Sequence, residues 1–556
     1  MLKRFRHILI ALAAGIAAVA LFTAAADRDF KIGRNIEILV NLFRDLNVFY
    51  VDDVDADKMM QDAAAGMVRS LDPYTEFLPA EKMTDFELMT TGKYGGIGSL
   101  IRQKGEWVYI AQPYKDSPAD KAGLEIGDRI VEINGVSARS LGSQKVSSMM
   151  KGEPGSTLRL KVEKFYTGQT QTVAIRRERI AIPAIPFYTM LPDSTGYIHH
   201  SDFTEGCAEQ MRAAVSDLKS QGAKGLVLDY RSNGGGILQE AVAIVSLFVP
   251  KGTEVVGMRG RQSESNKTYY TETEPIDTLI PIAVLTDSYT ASSAEIVAGA
   301  LQDLDRAVLI GRRTFGKGLV QSTRPTGFNS YLKVTTAKYY IPSGRCIQAI
   351  DYTHRNPNGS VGYVADSLIS EFSTRSGRKV YDGGGIMPDI RTEPQYASGF
   401  AVSLYEQGAI EDFADTFAKE NRDTEIDPLT FSLPEGWYER FARQAAAAAA
   451  NYKSETETAL DNLAQSAEQE LLLPEIQQYA DSIRERIAGD RNGYFQRHRD
   501  ELTQLLEDEI LLRRTYAQGV AAHKLLTDKD VKKAEQILND EAEYRRILRE
   551  QDTERK

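Results

Sequence analysis

The feature that most constrains the fold is an alternation of buried-type strands and apolar helices between residues 180 and 396. The strands are continuous apolar runs at 225–229, 282–285 and 308–310. The first runs through a glycine turn into an apolar helix, predicted over 238–249, and the second is again followed by a helix. This order predicts α/β architecture for this part of the chain.

Different patterns flank the α/β stretch. Residues 30–92 carry apolar residues at helical spacing, as at Ile36, Leu39 and Phe43. Short strands and glycine turns follow, and the chain ends in charged helices. We therefore predict a multidomain chain with these segments: 1–26, targeting; 30–92, N-terminal helical; 93–178, small β domain; 179–396, α/β core; 400–556, helical extension.

Composition excludes several functions. The 556 residues carry a net charge of −11, which argues against nucleic acid as a partner. The cysteines, Cys207 and Cys346, match no zinc or redox spacing, and the sequence leaves open whether they form a disulfide or are buried thiols. The histidines form no pair at ligand spacing, so we predict no metal.

The N-terminus has the pattern of an export signal. Basic residues at Lys3, Arg4 and Arg6 precede an apolar run over 8–22, and the small residues at 23–26 suit cleavage before Asp27. The run is borderline in length for a membrane span, and the alternative to cleavage is a single uncleaved anchor. Either reading places the rest of the chain outside the cytoplasm.

Residues 93–178 contain two strings typical of a peptide-binding β domain. YGGIGSLI at 94–101 puts a glycine-rich loop, able to hold an anion, before a strand that can accept an extended peptide. DSPADKAGLEIGDRIVEINGVS follows at 116–137, with a hairpin signal at Asn134-Gly135. The second string resembles PDZ domains, which bind C-terminal carboxylates. The resemblance makes four residues candidate contacts for a peptide end: Gly95, Gly96, Ile97 and Gly98.

Ser292 lies where a strand leads into a helix, in LTDSYTASSAEIVAGALQDL at 285–304. A helix N-terminus favours a developing negative charge, which suits a nucleophile. Glu295 three residues later gives equally the spacing of a capping box. On this segment alone, Ser292 is either a helix cap or a nucleophile.

Lys317 lies between two glycines in GRRTFGKGLVQS at 311–322. Taken alone it is a turn lysine, but burial among glycines and apolar residues would lower its pKa and free the amine as a base. Gln321 projects to the same face of a strand and can hold that amine. The glycines at 234–236 follow a strand and precede a helix, a turn that suits an oxyanion. No G-K-[ST] follows, which excludes a phosphate-loop NTPase.

Together these segments resemble the C-terminal processing peptidases, the tail-specific Ser/Lys proteases of peptidase family S41. The resemblance covers about residues 30–396. It implies a crotonase/ClpP-like serine protease core with an inserted PDZ domain and no cofactor. Further strings occur in the family's order: SLDPYTEFL at 70–78, GYIHHSDFTEG at 196–206, TTAKYYIPSGRCIQ at 335–348 and GGIMPDI at 384–390.

The resemblance implies roles for individual residues. Ser292 is the nucleophile, Lys317 the base and Gln321 its orienting partner. The family's serine string differs here, so Ser293 is a rival nucleophile.

The oxyanion donors implied by the resemblance are backbone N–H groups. They belong to Ser293 and to either Gly235 or Gly236, because the usual N-P-G-G reads Asn-Gly-Gly-Gly at 233–236.

These roles predict a serine endopeptidase that cleaves exported proteins after its PDZ domain binds their C-terminal tails. The predicted location is the periplasm or the periplasmic face of the inner membrane, and 400–556 is a candidate surface for oligomerisation or an adaptor. One alternative is an inactive PDZ adaptor, against which the intact Ser292, Lys317 and Gln321 argue. A crotonase-like acyl-CoA enzyme conflicts with export, and a Ser-His-Asp protease lacks its histidine string.

Overall fold

The computed structural model describes residues 29–356, 359–489 and 491–549. The predicted targeting segment, 1–26, lies outside these ranges. The described residues form two compact units, one made of residues up to 80 with 322–335, and one made of 81–321 with the remainder from 336 onward. Within the described ranges, no helix combines the length and apolar content that crossing a bilayer requires.

The smaller unit begins with two helices and a short strand. They are α1 (residues 29–49), α2 (Ala56–Val68) and β1 (Glu76–Leu78). The helical character predicted for this segment from apolar spacing is confirmed by both helices. Strand β1 pairs antiparallel with residues 331–333. Asp72 stabilises the turn before β1, since its carboxylate accepts the N–H groups of Tyr74 and Thr75 at 2.9 Å.

The predicted small β domain is a six-stranded antiparallel sheet, in which β3-β4-β5-β7-β8 lie in this order and β6 pairs with β5. Two helices, α4 and α5, and a separate β2–β9 pair accompany the sheet. The hairpin predicted at Asn134-Gly135 joins β5 to β6, and both residues have positive φ, 51° and 84°. The elements are α3 (Met83–Thr91), β2 (Lys93–Gly96), β3 (Ser99–Lys104), β4 (Trp107–Pro113), α4 (Pro118–Lys121), β5 (Arg129–Ile133), β6 (Val136–Ser137), α5 (Gly142–Met150), β7 (Thr157–Glu163), β8 (Thr170–Arg176) and β9 (Glu178–Ala181).

The α/β core is built on a six-stranded sheet. Its order is β10-β11-β12-β15-β16-β23, with β10 antiparallel and the others parallel. The elements are β10 (Phe187–Met190), β11 (Thr195–His199), α6 (Cys207–Ser220), β12 (Gly225–Asp229), α7 (Leu238–Val245), β13 (Glu254–Gly260), β14 (Lys267–Tyr270), β15 (Ile282–Thr286), α8 (Ser293–Asp303), β16 (Val308–Gly311), β17 (Leu319–Gly327), β18 (Ser330–Tyr340), β19 (Ile350–Arg355), β20 (Val361–Tyr363), β21 (Glu371–Ser373), β22 (Lys379–Tyr381) and β23 (Ile390–Arg391).

The three strands predicted for this core are confirmed as β12, β15 and β16. The helix predicted over 238–249 ends earlier, at Val245. Leu247 and Phe248 donate to carbonyls three residues back, so the chain tightens and leaves the α-helix there. Cys207 and Cys346 are both free thiols.

The C-terminal extension is helical, as predicted. Its elements are α9 (Gly399–Glu406), α10 (Ala409–Glu420), α11 (Trp437–Gln444), α12 (Ala446–Ala450), α13 (Glu455–Gln469), α14 (Leu473–Gly489), α15 (Arg491–Arg497), α16 (Arg499–Leu525), α17 (Lys529–Asn539) and α18 (Glu541–Ile547). Most of these helices share a core of their own that is rich in phenylalanine: Phe400, Phe413, Phe417, Phe441 and Phe495.

The last two helices instead complete the α/β core. Residues of β12 alternate between two apolar layers: Leu226 and Leu228 face the layer of α6, α7 and α8, whereas Val227 faces the opposite layer. That second layer is formed by α17 and α18, through Val531 and Ile537 among others. The sheet is therefore buried on both faces, as a parallel sheet requires.

Candidate active site

The candidate residues lie at the carboxyl edge of the parallel sheet, where ligands bind in open α/β folds. We name three loops there. The glycine turn, 230–237, follows β12; the serine loop, 287–292, follows β15; and the lysine loop, 312–318, follows β16.

Ser292 immediately precedes the first residue of α8 and has a strained backbone. Its φ is 56° and its ψ is −119°, a region that L-residues rarely adopt. The side chain is half-buried. This geometry places the serine at the N-terminus of a buried helix, where a developing negative charge is stabilised.

Glu295 ties the serine loop to the lysine loop. It is fully buried, and one carboxylate oxygen, Oε2, accepts the backbone N–H of Ser292 and that of Lys317, each at 2.8 Å. The other oxygen accepts the N–H of Gly316 at 2.7 Å and the hydroxyl of Thr314 at 2.5 Å. A single side chain therefore holds the predicted nucleophile and the predicted base beside each other.

Burial raises the pKa of Glu295 to about 7, although Thr314 and the backbone donors act to lower it. The carboxyl therefore changes charge close to neutral pH. The capping-box spacing identified this residue in the sequence, but not its second role in holding the lysine loop.

Lys317 is fixed through its backbone. Gly316 has φ +84°, and a Cβ on it would lie 2.4 Å from the Cβ of Ala349. On the other side, Gly318 donates its N–H to Oε1 of Gln348 at 2.8 Å. The flanking glycines are therefore required by close packing, and Lys317 is held half-buried between them.

Gln321 lies in β17, close to the lysine loop. The strand begins at Leu319, so Lys317 precedes it by two residues rather than lying within it. The Lys317 carbonyl accepts the hydroxyl of Tyr339.

The glycine turn packs directly against Ser292. A Cβ on Gly235 would lie 2.7 Å from the Cβ of Ser292 and 2.7 Å from the nitrogen of Ser293. Gly235 also has φ +88°, so both space and backbone conformation require glycine here. Gly236, with φ +153°, instead approaches the carbonyl oxygen of Phe203.

Asn233 explains why only one of the two candidate glycines has a free donor. The fully buried Asn233 accepts the N–H of Gly235 at 2.8 Å, and its own amide donates to the His200 carbonyl at 2.7 Å. In the described part of the chain, the N–H groups of Gly236 and Ser293 donate to no protein acceptor. Of Gly235 and Gly236, only the second thus has an N–H without a protein acceptor in the described structure.

The hydroxyl of Ser293, the rival nucleophile, is already engaged. It donates to the carbonyl of Gly236 at 2.8 Å, and the side chain is buried. Asp287 reinforces the arrangement, because it accepts the N–H of Ser232 and the N–H of Thr290, both at 3.0 Å. These buried polar links were not visible in the sequence, where Asp287 is an ordinary loop aspartate.

No histidine takes part in the hydrogen bonds of Ser292 among the described residues. His200 is fully buried, and burial lowers its pKa to about 3. Its ring packs against Phe203, with the ring centroids 4.4 Å apart. His200 is thus a neutral packing residue under the glycine turn.

The small β domain contains a groove between β3 and α5, with a volume of about 390 Å³. Of the four residues predicted to contact a peptide end, only Ile97 lines it. Gly95 and Gly96 pair with β9, and Gly98, at φ +75°, packs against Ser117. The other groove residues are Leu88, Tyr94, Ser99, Leu100, Ile101, Tyr114, Ser143, Gln144, Ser147, Met150, Lys151 and Ile182.

Comparison with known proteins identifies the family. "Peptidase family S41" matches residues 194–355. The carboxy-terminal-processing protease of Bartonella bacilliformis is 35% identical over 317 residues, 56% of this chain and 72% of that protein. The chain belongs to the carboxy-terminal processing proteases of family S41. The chain also carries a PDZ domain, which matches at residues 109–164.

Other relatives extend the match. The carboxy-terminal processing protease CtpA of Bacillus subtilis is 32% identical over 299 residues, 54% of this chain but only 63% of that protein. Residues 400–538 match "Probable PDZ-protease, C-terminal helical domain". Among solved structures, the photosystem II D1 C-terminal processing protease is 26% identical with a TM-score of 0.35, covering 64% of this chain and 92% of that one. The family matches and the observed α/β, β and helical parts of the chain confirm the predicted family and fold class.

Proposed function

We propose that this chain is a serine endopeptidase in which Ser292 is the nucleophile and Lys317 the general base. The proposal rests mainly on one observation: a single carboxylate oxygen of Glu295 accepts the backbone N–H groups of both residues, each at 2.8 Å. Residues from two separate loops are thereby held together. The close contact between Gly235 and Ser292 adds the glycine turn to the same place.

The reaction begins with proton transfer from the Ser292 hydroxyl to the neutral amine of Lys317. The serine Oγ then attacks the carbonyl carbon of the scissile peptide bond. Gln321 orients the lysine amine. The lysine ammonium returns its proton to the leaving amine, and water hydrolyses the acyl-enzyme with the same lysine as base.

The negative oxygen formed by the attack is bound by two backbone donors. We assign them to Ser293, at the N-terminus of α8, and to Gly236. Both N–H groups are free of protein acceptors in the described structure, whereas that of Gly235 is bound by Asn233. Fixed donors of this kind stabilise charge without reorganising during the reaction.

The PDZ groove selects substrates by their C-terminal tails. Its wall includes Ile97 and Met150, so an apolar terminal side chain fits, and the adjoining strand β3 is available for strand addition. Substrates are exported proteins, and the N-terminal signal or anchor places the enzyme in the periplasm or on the periplasmic face of the inner membrane. We propose that the chain divides into five segments, 1–26, 30–92, 93–178 (the PDZ domain), 179–396 and 400–556. The proposed reaction needs no cofactor.

The test is cleavage of an unfolded protein that ends in an apolar tail, made once with a free carboxylate and once with a terminal amide. Ser292→Ala and Lys317→Ala should each lower kcat by about 10³-fold or more. Ser293→Ala keeps its backbone N–H and should lose less than about 10-fold. The amidated tail should raise KM by about 10-fold, because it removes the charge from the bound end.

Two results would contradict the proposal. Full activity of the Ser292 or Lys317 variant would exclude the catalytic pair. Equal KM values for the carboxylate and the amide would exclude tail recognition through the terminal charge.

A further inference from the structure

Each of the three loops has a charged residue at its first or second position after the strand that precedes it. Arg231 opens the glycine turn after β12, Asp287 the serine loop after β15, and Arg312 the lysine loop after β16. The two arginines pair with acidic residues at the start of α17: Arg231 with Asp528 and Asp530, and Arg312 with Asp530.

Arg231 is held from two directions. Its guanidinium binds Asp229 at the end of β12, with nitrogen–oxygen distances of 2.6 to 3.1 Å. It also binds Oδ2 of Asp528 at 2.9 Å and Oδ2 of Asp530 at 3.3 Å. Burial acts to lower the pKa of Arg231, but Asp229 and Asp528 raise it overall, so the guanidinium is permanently charged.

Asp530 also faces the lysine loop. Its Oδ2 lies 3.9 Å from Nη1 of Arg312, whose Nη2 lies 3.9 Å from Oδ2 of Asp287. The Arg312 backbone is fixed in turn, since its N–H donates to the Thr286 carbonyl at 2.9 Å. One ion network thus reaches all three loops.

Helix α17 is anchored both by its N-terminal cap and by its buried face. Asp528 caps it, accepting the N–H groups of Asp530 and Val531 at 2.9 and 3.0 Å. The helix then packs on the sheet through the fully buried Val531 and Ala534. Asp530 is only 10% exposed, so its charge acts in a poorly solvated place where ion pairs are less screened.

We infer that Asp528 and Asp530 are positioning residues for catalysis, supplied by the C-terminal extension to the loops that carry the oxyanion donors and the base. The inference rests on the proposed function. The extension is then part of the active site's support, because without α17 the charges of Arg231 and Arg312 lack their partners beyond the sheet edge.

The test is the double variant Asp528→Asn/Asp530→Asn in the full-length chain, since asparagine keeps the helix cap and removes both charges. We expect kcat to fall by roughly 10- to 100-fold with KM within about twofold, because small displacements of catalytic loops cost rate rather than binding. Reintroducing one charge, as Asp528→Asn/Asp530→Glu, should recover part of the loss. If the double variant is unfolded by circular dichroism, Asp530→Asn alone is measured instead.

Two matched variants separate positioning from stability. Asp540→Asn removes one charge from an exposed cap at the end of the same helix and should retain wild-type kcat. Ile537→Ala should lower the melting temperature through a cavity without a comparable loss of kcat. The inference is overturned if the double variant matches Asp540→Asn, or if Ile537→Ala loses as much kcat.

A readout without cleavage distinguishes this inference from the proposed function. Amide hydrogen exchange over 230–237 should be faster in the double variant than in wild type, and unchanged in Asp540→Asn. If Ser292→Ala leaves cleavage intact, the proposed function fails, whatever the exchange shows. If Ser292→Ala abolishes cleavage and the double variant changes neither kcat nor exchange, only the positioning role fails.

Discussion

Ser292 combines a strained backbone with a position at a helix N-terminus. A non-glycine residue at φ 56° and ψ −119° costs about 1–3 kcal/mol and persists only where its surroundings hold it. Here the holding group is Glu295, which binds the Ser292 N–H. The same carboxylate binds the N–H of Lys317, so strain at the proposed nucleophile and placement of the proposed base depend on one side chain.

Replacing Glu295 by glutamine should therefore reduce both stability and activity. The amide nitrogen of Gln would face donors that now meet a carboxylate oxygen, and unsatisfied buried donors cost about 1–3 kcal/mol each. We expect kcat to fall by about 10- to 100-fold. Chemical denaturation and steady-state kinetics measure the two effects.

A matched control is Glu240→Gln. Glu240 also binds two backbone N–H groups, those of Gly206 and Ala208, at 2.9 Å, but at the start of α6. It should lose stability without a comparable loss of kcat. Equal kinetic losses in the two variants would contradict a specific role for Glu295.

The raised pKa of Glu295 predicts a pH dependence of stability. Between its ordinary value near 4.5 and about 7, the folded protein holds a proton that the unfolded chain has released. This contribution to stability is fully present below pH 4.5 and is lost as the pH rises through about 7. The free energy of unfolding of wild type minus that of Glu295→Gln should fall across this range and stay level above pH 8; a difference independent of pH would contradict the assignment.

The glycine turn is a backbone element to which the proposed function assigns a catalytic group, the N–H of Gly236. Gly235→Ala should inactivate the enzyme by about 10²-fold or more and destabilise it by about 1–3 kcal/mol. The new Cβ would lie 2.6 Å from the Ala291 carbonyl oxygen, at a residue with φ +88°.

Gly234→Ala provides the adjacent control. A Cβ there meets nothing within 4 Å, so both activity and stability should stay close to wild type, within about 0.5 kcal/mol. Thermal unfolding and cleavage assays of the two variants make the comparison. An inactive Gly234 variant with an active Gly235 variant would mean that the turn is used in another conformation.

Among the elements of the core, the strands can be predicted from the sequence, whereas the hydrogen bonding of the glycine turn cannot. Strands β12, β15 and β16 were predictable because continuous apolar runs between turns have few other solutions in a parallel sheet. The sequence did not show which of Gly235 and Gly236 has a free N–H. That depends on Asn233, which accepts the N–H of Gly235 through a contact that no spacing rule encodes.

The layer formed by α17 and α18 was also missed, and the reason lies at the scale of the whole molecule. The chain crosses from a separate helical core, rich in phenylalanine, back to the sheet. Its apolar residues, such as Val531 and Ile537, have the spacing of any amphipathic helix. Such a pattern shows that a face is buried but does not identify the surface that buries it.

The PDZ domain and the helical extension are joined by charged contacts. Arg102 and Lys104, both on β3, pair with Glu411 and Asp412 of α10. Beside them, Nζ of Lys419 lies 4.5 Å from the ring centroid of Phe165. Because β3 also borders the groove of the PDZ domain, the extension holds the strand to which a substrate tail is added under the proposed function.

Removing these charges as Glu411→Gln/Asp412→Asn should loosen the strand. Partly exposed ion pairs contribute about 0.2–1 kcal/mol each, so loss of the two pairs should accelerate hydrogen exchange across β3 by roughly 2- to 30-fold. Added salt should accelerate exchange in wild type and have little effect in the variant.

Glu106→Gln serves as the control for that comparison. It removes an exposed ion pair with Arg139 within the PDZ domain and makes no contact with the extension among the described residues. If amide hydrogen exchange across β3 is accelerated to the same extent in both variants, the extension does not restrain the strand.

The most direct test of the central claim is to map which hydroxyl becomes covalently modified, using a fluorophosphonate probe at pH 8 followed by peptide mass spectrometry. A single adduct on Ser292 is predicted. It should persist in Ser293→Ala and be lost in Ser292→Ala, and also in Lys317→Ala, because the amine activates the hydroxyl. An adduct on Ser293, or labelling of Ser292 that is undiminished in Lys317→Ala, would contradict the account.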